Sequence, residues 1–370
     1  MTSLPALPAL PVLPSAAALT IAFGGLAAAP AVNAAVNSAN ADVKANVDAN
    51  VNAADAASAS STPPATGPAT NPADLIAALN GTFGKHPGMR ASHAKGFCAT
   101  GDFEPSRTAR GLTRSALYRE SRVAATLRFS IAGGNPKVSD KSRTVRGLSI
   151  HLQGEHERHD LVLISEPVFF AASLESFVEF LRARVADPTT GKPDPARIKA
   201  YEAKYPDGAR QPALLASHPA PASYATTAYH STHAFAFKTA AMTTWARIVA
   251  VPAAGTRHLA ANEEAALPDL FLEAEAASRL ARGPIDFTLF AQPAAPGDSL
   301  VDPSQPWSAQ GPAPIELGRL RVRRLAEVET CDKSMFIPTV LPEGIEAGDD
   351  PILQARGAAY GVSMGQRLQR

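Results

Sequence analysis

From about residue 120 onward, apolar and polar positions alternate in short runs bounded by Gly, Pro and Asp, the pattern of half-buried strands. ATLRFSIAG, VRGLSIHLQG and DLVLISEPVFF read as consecutive antiparallel strands, separated by the loop GNPKVSD and the polar turn EHERH. HAFAFKTA, TWARIVAVPAAG, IDFTLFAQ and IELGRLRVRRL repeat the pattern further along. Segments with helical spacing lie between and around them. ASLESFVEFLRARVA places Leu174, Phe177, Val178 and Leu181 on one face, DPARIKAYEAKYP follows, and LPDLFLEAEAASRLARG runs up to Gly283. After a Pro-rich loop, DPILQARGAAYGVSMGQRLQR forms a terminal helix. Asn71 followed by Pro72 has the form of an N-cap with proline at N1, opening the short helix ADLIAAL. Strands and helices mix without a βαβ rhythm, so the predicted class is α+β, with the sheet closed or strongly curled.

The first 72 residues depart from this pattern. SAAALTIAFGGLAAAPAVNAAV has an apolar centre followed by small residues, with Val32 and Ala34 placed as for a signal-peptidase site. The positive start usual for such a leader is missing, since the first Lys or Arg is Lys44. Residues 1–34 are therefore expected to be a signal peptide, and the protein to be periplasmic or secreted. Residues 35–72 contain no aromatic and almost nothing large to bury, and read as a disordered spacer. One folded domain is expected over residues 73–370.

Apolar residues make up 45% of the 370, enough for a substantial core, and the net charge of +1 gives no reason to expect nucleic-acid binding. No run of about 20 apolar residues escapes Pro, Gly or polar interruption, so no membrane span is expected. The spacing of Cys98 and Cys331 matches no metal motif, and they are expected to be two separate thiols. No GxSxG, HExxH, P-loop or GxGxxG falls in a suitable context. His151, His156 and His159 are expected in a solvated hairpin tip, and His86, His218, His230, His233 and His258 as ordinary surface or core histidines.

The residues that carry chemistry stand at the two ends of the folded part. Arg90 and His93 occur in R-x-x-H-A-K-G, a stretch that suits neither helix nor strand. Arg356, Tyr360, Ser363 and Arg367 fall on one face of the terminal helix, an unusual stripe if that face meets an apolar core, although it also fits a solvated amphipathic helix. Other motifs lie between them in order: RFS at Arg128 to Ser130, VRG at Val145 to Gly147, PVFF with Phe169, and Phe177 eight residues later. Phe336 stands eight residues before Gly344, and LPEGIEAGDDPILQAR leads into the helix. Taken together, the chain resembles the catalase family over roughly residues 75–370, and the GTFGKHPGMRASHAKG opening looks most like the small catalase-related peroxidases.

The resemblance implies a catalase-like antiparallel β-barrel surrounded by helices and a haem b cofactor whose axial ligand is Tyr360. A phenol with an ordinary pKa near 10 is a poor anionic ligand, so the guanidinium of Arg356, one turn earlier, is implied to stabilise the phenolate. His93 is implied to be the distal acid–base group, with Ser130 fixing its tautomer. Arg90, Arg128 and Arg367 match positions around the haem propionates. Phe169, Phe177, Phe336 and Ser363 match positions lining the cofactor. At the place of the family's distal asparagine stands Ile164, which cannot hydrogen-bond. The implied function is a peroxidase that reduces hydrogen peroxide or organic hydroperoxides through a ferryl iron, with a small organic reductant and weak catalase activity at most. The protein is expected to be a monomer or homodimer. The alternatives are a haem carrier and a hydroperoxide-rearranging enzyme on the same fold.

Overall fold

The computed structural model describes residues 71–369, so the expected signal peptide and nearly all of the expected spacer lie outside the described residues. In chain order the helices and strands are α1 (Pro72–Phe83), β1 (Gly96–Pro105), β2 (Val123–Ile131), β3 (Arg146–Gln153), β4 (Arg158–Ile164), α2 (Leu174–Ala183), α3 (Pro195–Lys204), α4 (Arg210–Ser217), β5 (Tyr229–His230), β6 (Phe235–Lys238), β7 (Thr243–Pro252), α5 (Ala261–Ala266), α6 (Leu272–Leu280), β8 (Ile285–Pro293), β9 (Ile315–Ala326), α7 (Glu329–Asp332), β10 (Ile345–Ala347) and α8 (Pro351–Leu368). Asn71 caps α1 as expected, accepting hydrogen bonds from the backbone of Ala73 and Asp74, with Pro72 in the first turn. The sequence pattern had not marked β1, whose Gly, Cys, Thr and Asp break the apolar alternation, nor the short helices α4 and α5.

All ladders are antiparallel. The order β1-β2-β3-β4-β5-β7-β8-β9 returns to β1, so these strands close into a barrel, while β6 and β10 extend from β7. Closure leaves the eight ring strands without a free edge. The period-2 alternation decides which side chains fill the barrel. On β2, Val123, Ala125, Leu127, Phe129 and Ile131 point inward and are almost wholly buried, and Leu148, Ile150 and Leu152 do the same on β3. A second apolar cluster joins α1, α2 and α8 through Leu75, Ile76, Leu79, Phe177, Leu181 and Ile352. The outer face of β2, β3 and β4 lies between these two cores. No helix of the described residues is long and apolar enough to cross a membrane.

Two expectations are overturned. Cys98 and Cys331 form a disulfide and are not separate thiols, with their Cα atoms 5.9 Å apart despite a sequence separation of 233. β1 and β9 are paired neighbours, and α7 follows β9 directly, so the topology closes a distance that spacing alone could not reveal. The trio of histidines is not a solvated tip either. The β3–β4 ladder runs out to Gln153 opposite Arg158, which leaves only His156 in the turn. His159 faces the barrel interior and shares a 2.9 Å hydrogen bond with the Tyr118 hydroxyl. His151 lies 2.6 Å from Asp160 on the outer face and stacks on Phe336 at 4.0 Å.

Burial pulls His159 and His230 down to about 4. Both stay neutral in the fold, whereas an exposed imidazole protonates near pH 6.5. Between these values the unfolded chain binds more protons, so stability falls as pH drops from about 6.5 towards 4. Urea midpoints measured across that interval will decline, and His159→Gln will flatten the decline; a midpoint independent of pH refutes this account.

Candidate functional site

β2 and β3 turn one face into the barrel, so the alternate residues Arg128, Ser130, Gly147 and Ser149 face outward, joined by Val162 and Ile164 of β4. These residues, together with α1, α2 and α8, enclose a cavity of about 700 Å³, within the range of cofactor pockets. Every site residue expected from the sequence lines it: His93, Ser130 and Arg356; Arg90, Arg128 and Arg367; Phe169, Phe177 and Phe336; Ser363; and Tyr360.

His93 enters from the barrel side. Its φ of 53° lies in the left-handed region, which a non-glycine residue adopts at a cost. The tight HAKG stretch therefore makes a sharp corner just before β1. The corner is held because the backbone resumes pairing at once, Ala94 N–H donating to Gly133 O at 3.1 Å and Ile131 N–H to Lys95 O at 3.0 Å. The imidazole Nδ1 lies 3.0 Å from Ser130 Oγ. Gly147 supplies the remaining space, since a Cβ there would stand 2.6 Å from Ser130 Oγ and 2.8 Å from His93 Nδ1. Burial, followed by the charges of Arg128, Arg356 and Arg90, pulls His93 down to about 3. It is therefore neutral at ordinary pH and free to take up a proton.

Tyr360 enters from α8. Asp350 caps this helix, its Oδ1 accepting from Ile352 N–H at 2.8 Å and Leu353 N–H at 3.2 Å, with Pro351 in the first turn. Arg356 donates to the Tyr360 hydroxyl through Nε–H at 3.1 Å and also through Nη2–H. Sequence reasoning missed what stands behind it. Arg356 Nη1–H donates to His233 Nε2 at 3.0 Å, and His233 Nδ1–H donates to Asp350 Oδ2 at 2.5 Å. The carboxylate accepts from the N–H of one ring nitrogen and so leaves the other as acceptor, which lets Arg356 donate in two directions, to His233 on one side and to the phenol oxygen on the other. Burial is the main reason that the pKa of His233 is lowered, against the opposing pull of Asp350. His233 and Asp350 are 117 residues apart, and no local signal links them.

The cavity lining carries several guanidiniums and no carboxylate. Arg90 is already engaged, donating to Asp332 and to the carbonyls of Cys331 at 2.8 Å and Ser334 at 3.3 Å. Arg128 is 5% exposed, donates to Ala94 O at 3.2 Å and has no carboxylate partner among the described residues. Burial and the neighbouring charge of Arg90 pull it down to about 9. A buried cation in this state calls for an anion from a ligand. Ser363 Oγ accepts from Ala91 N–H at 3.4 Å, tying α8 to the Arg90 segment. Phe169 and Phe177 lie 6.2 Å apart between ring centroids and, with Phe336, line the cavity with apolar surface. The site thus suits a flat, largely apolar group with an anionic edge, ligated through a phenol oxygen.

The model of the family described as Catalase matches residues 85–370. The chain is 36% identical over 301 residues to a catalase-related peroxidase of Synechococcus elongatus, covering 80% of this chain and 88% of that protein. It is 33% identical over 293 residues to a catalase-related peroxidase of Mycolicibacterium paratuberculosis, covering 78% of this chain and 92% of that protein. Among solved structures, catalase A from Saccharomyces cerevisiae superposes with a TM-score of 0.68 at 21% identity, over 77% of this chain and 62% of the other. A fungal catalase gives 0.69 at 23%, over 77% and 60%. The chain belongs to the catalase family, and it spans about three-fifths of the length of those solved catalases.

Asp350 both caps α8 and holds His233, so Asp350→Ala removes a cap and leaves a buried imidazole and guanidinium unsupported. The expected loss is about 3–5 kcal/mol of unfolding free energy. Asp350→Asn keeps an acceptor for the cap and will cost less than half as much. Equal losses for the two variants, read by chemical denaturation, would overturn the contribution assigned to the cap acceptor.

Proposed function

We propose that this chain is a haem peroxidase that reduces hydrogen peroxide or organic hydroperoxides at the expense of a small organic donor. The observation that carries this reading is the placing of two unlike groups in one cavity: a tyrosine hydrogen-bonded by Arg356 on the helix side, and a neutral His93 bonded to Ser130 on the barrel side. Tyr360 would hold the haem iron, Arg128 and Arg367 would meet the propionates, and Phe169, Phe177 and Phe336 would flank the macrocycle. Bound haem supplies the iron redox chemistry that accepts oxidising equivalents from a peroxide.

The chain's own residues do the rest. Arg356 stabilises negative charge on the Tyr360 oxygen by charge-assisted hydrogen bonds. His93 takes the proton from an incoming hydroperoxide and returns it to the departing oxygen, so that water or an alcohol leaves. Such assistance is worth roughly 10²–10⁴-fold. Ser130 orients the imidazole for both transfers. A haem carrier needs no strained, neutral histidine in its pocket, so the geometry favours turnover. Ile164 lines the same cavity and offers no hydrogen bond to a second peroxide, which favours an organic donor over disproportionation. We also read the chain as exported, a reading supported by the disulfide, which persists in oxidising compartments.

Visible absorption of the haem-loaded protein tests the ligand. A ferric phenolate-type spectrum is expected for the wild type, and Tyr360→Phe will abolish it; a spectrum indifferent to Tyr360 overturns the assignment. Dioxygen release tests the distal side. Ile164→Asn is expected to raise the rate of oxygen evolution per haem by about tenfold, the scale of one added hydrogen bond to charge, while peroxidase turnover changes little. Rapid oxygen evolution by the wild type would contradict the peroxidase reading.

A further inference from the structure

One short segment of chain supplies acceptors to two of the cavity's cations, Arg90 and Arg367. Asp332 and the Cys331 carbonyl accept from Arg90, and the Ser334 carbonyl accepts from Arg90 at 3.3 Å and from Arg367 at 3.5 Å. Two residues on, Phe336 reaches the cavity. This segment consists of α7, a helix of only four residues, and the loop after it, so it has little intrinsic stability. The carboxylate that meets Arg90 is poorly held by burial: the Asp332 side chain is 39% exposed, against 16% for Arg90. An aspartate so open to water gains little from an ion pair unless its backbone is fixed.

The fixing element is covalent. The Cys98–Cys331 disulfide ties the residue next to Asp332 to the outer side of β1, where Cys98 stands opposite Arg128 of β2 in the ladder. The same link therefore sets the acceptors of Arg90 and Arg367 and sits beside Arg128. Without it, Asp332 is free to turn to solvent, and Arg90, Arg128 and Arg367 lose a carboxylate that offsets their charge. Arg90 and Asp332 act with opposite sign on both Arg128 and Arg367, which shows how closely the four charges are coupled.

We propose that the Cys98–Cys331 disulfide and Asp332 are positioning elements for the anionic edge of the cofactor, holding Arg90 and the Ser334 carbonyl so that Arg90, Arg128 and Arg367 form a fixed cationic collar that retains haem. This rests on the haem reading given above. The disulfide in this role does more than shorten the unfolded chain, and the two roles are separable by experiment.

The test follows haem transfer from the full-length loaded protein to excess apomyoglobin. Removing the disulfide with the double variant Cys98→Ala, Cys331→Ala is expected to speed haem loss about tenfold, as is Asp332→Asn with the disulfide intact. In an Arg90→Gln background, neither change will add more than about twofold, because the collar is already broken. Equal acceleration with and without Arg90 overturns the proposal and leaves the disulfide a general staple. Unchanged haem loss in both the cysteine and the Asp332 variants overturns it as well. Should the cysteine variant fail to fold, Asp332→Asn with and without Arg90 decides alone. A wild type that takes up no haem defeats the cofactor reading itself, an outcome distinct from normal uptake with unaltered loss.

Discussion

The site depends on one guanidinium held between a phenol and an imidazole. Arg356 sits one helical turn from Tyr360 and can satisfy the hydroxyl only if its remaining donors are aimed elsewhere. His233 takes one of them, and Asp350 orients His233 through the opposite ring nitrogen. Because Asp350 is also the N-cap of α8, the residue that starts the helix fixes the direction of the Arg356 donors six residues along it. Helix position and site geometry are therefore set by the same carboxylate. A partly buried cation next to a phenol is costly unless its donors are satisfied, and this chain of bonds meets the cost inside the fold.

The barrel makes the complementary contribution through alternation. Each strand that sends Leu, Phe or Ile into the interior must send its neighbours outward, and on β2 and β3 those neighbours are Arg128, Ser130 and Gly147. The interior packing thus indexes the polar face: a slip of one residue would bury Arg128 and Ser130 in the barrel and carry Phe129 into the cavity. The left-handed corner at His93 is tolerable because rigid ladders begin on its far side, and the glycine at 147 leaves the imidazole a place to rest. Strain at one residue is held by pairing at many.

These relations explain what could be read from the sequence and what could not. The barrel's inward alternation, the N-cap at Asn71 and the stripe of Arg356, Tyr360, Ser363 and Arg367 are local periodicities, so they were legible. The place of His93 in the cavity was legible only through the order of motifs along the chain, because an isolated histidine in a turn carries no periodic signal. The disulfide, the His233–Asp350 pair and the Arg90–Asp332 pair join residues more than a hundred positions apart. They arise from long-range strand pairing: barrel closure brings β9 against β1, and the β6–β10 ladder brings the loop after β5 against the start of α8. The misread histidines fail for a related reason. EHERH looks like a polar tip, yet the ladder extends to its edges, and His159 is carried inward by the same period of two that places Leu161 and Leu163.

The electrostatics of the cavity finally separate what the protein provides from what a ligand must bring. Arg356 is matched by a hydroxyl and an imidazole, and Arg90 by Asp332, but Arg128 has only a backbone carbonyl. A fold that buries such a charge without a counter-ion loses stability unless something anionic binds there, so binding and folding are linked at this point. Burial keeps His93 neutral, and the same positive field adds to this, because a proton there would place one more charge among three guanidiniums. One arrangement therefore does two things: it leaves a buried cation open to an anionic ligand, and it adds to the burial that keeps His93 neutral. Moving Arg128 outward would remove the cost of burying its charge, and with it the reason for an anion to bind there.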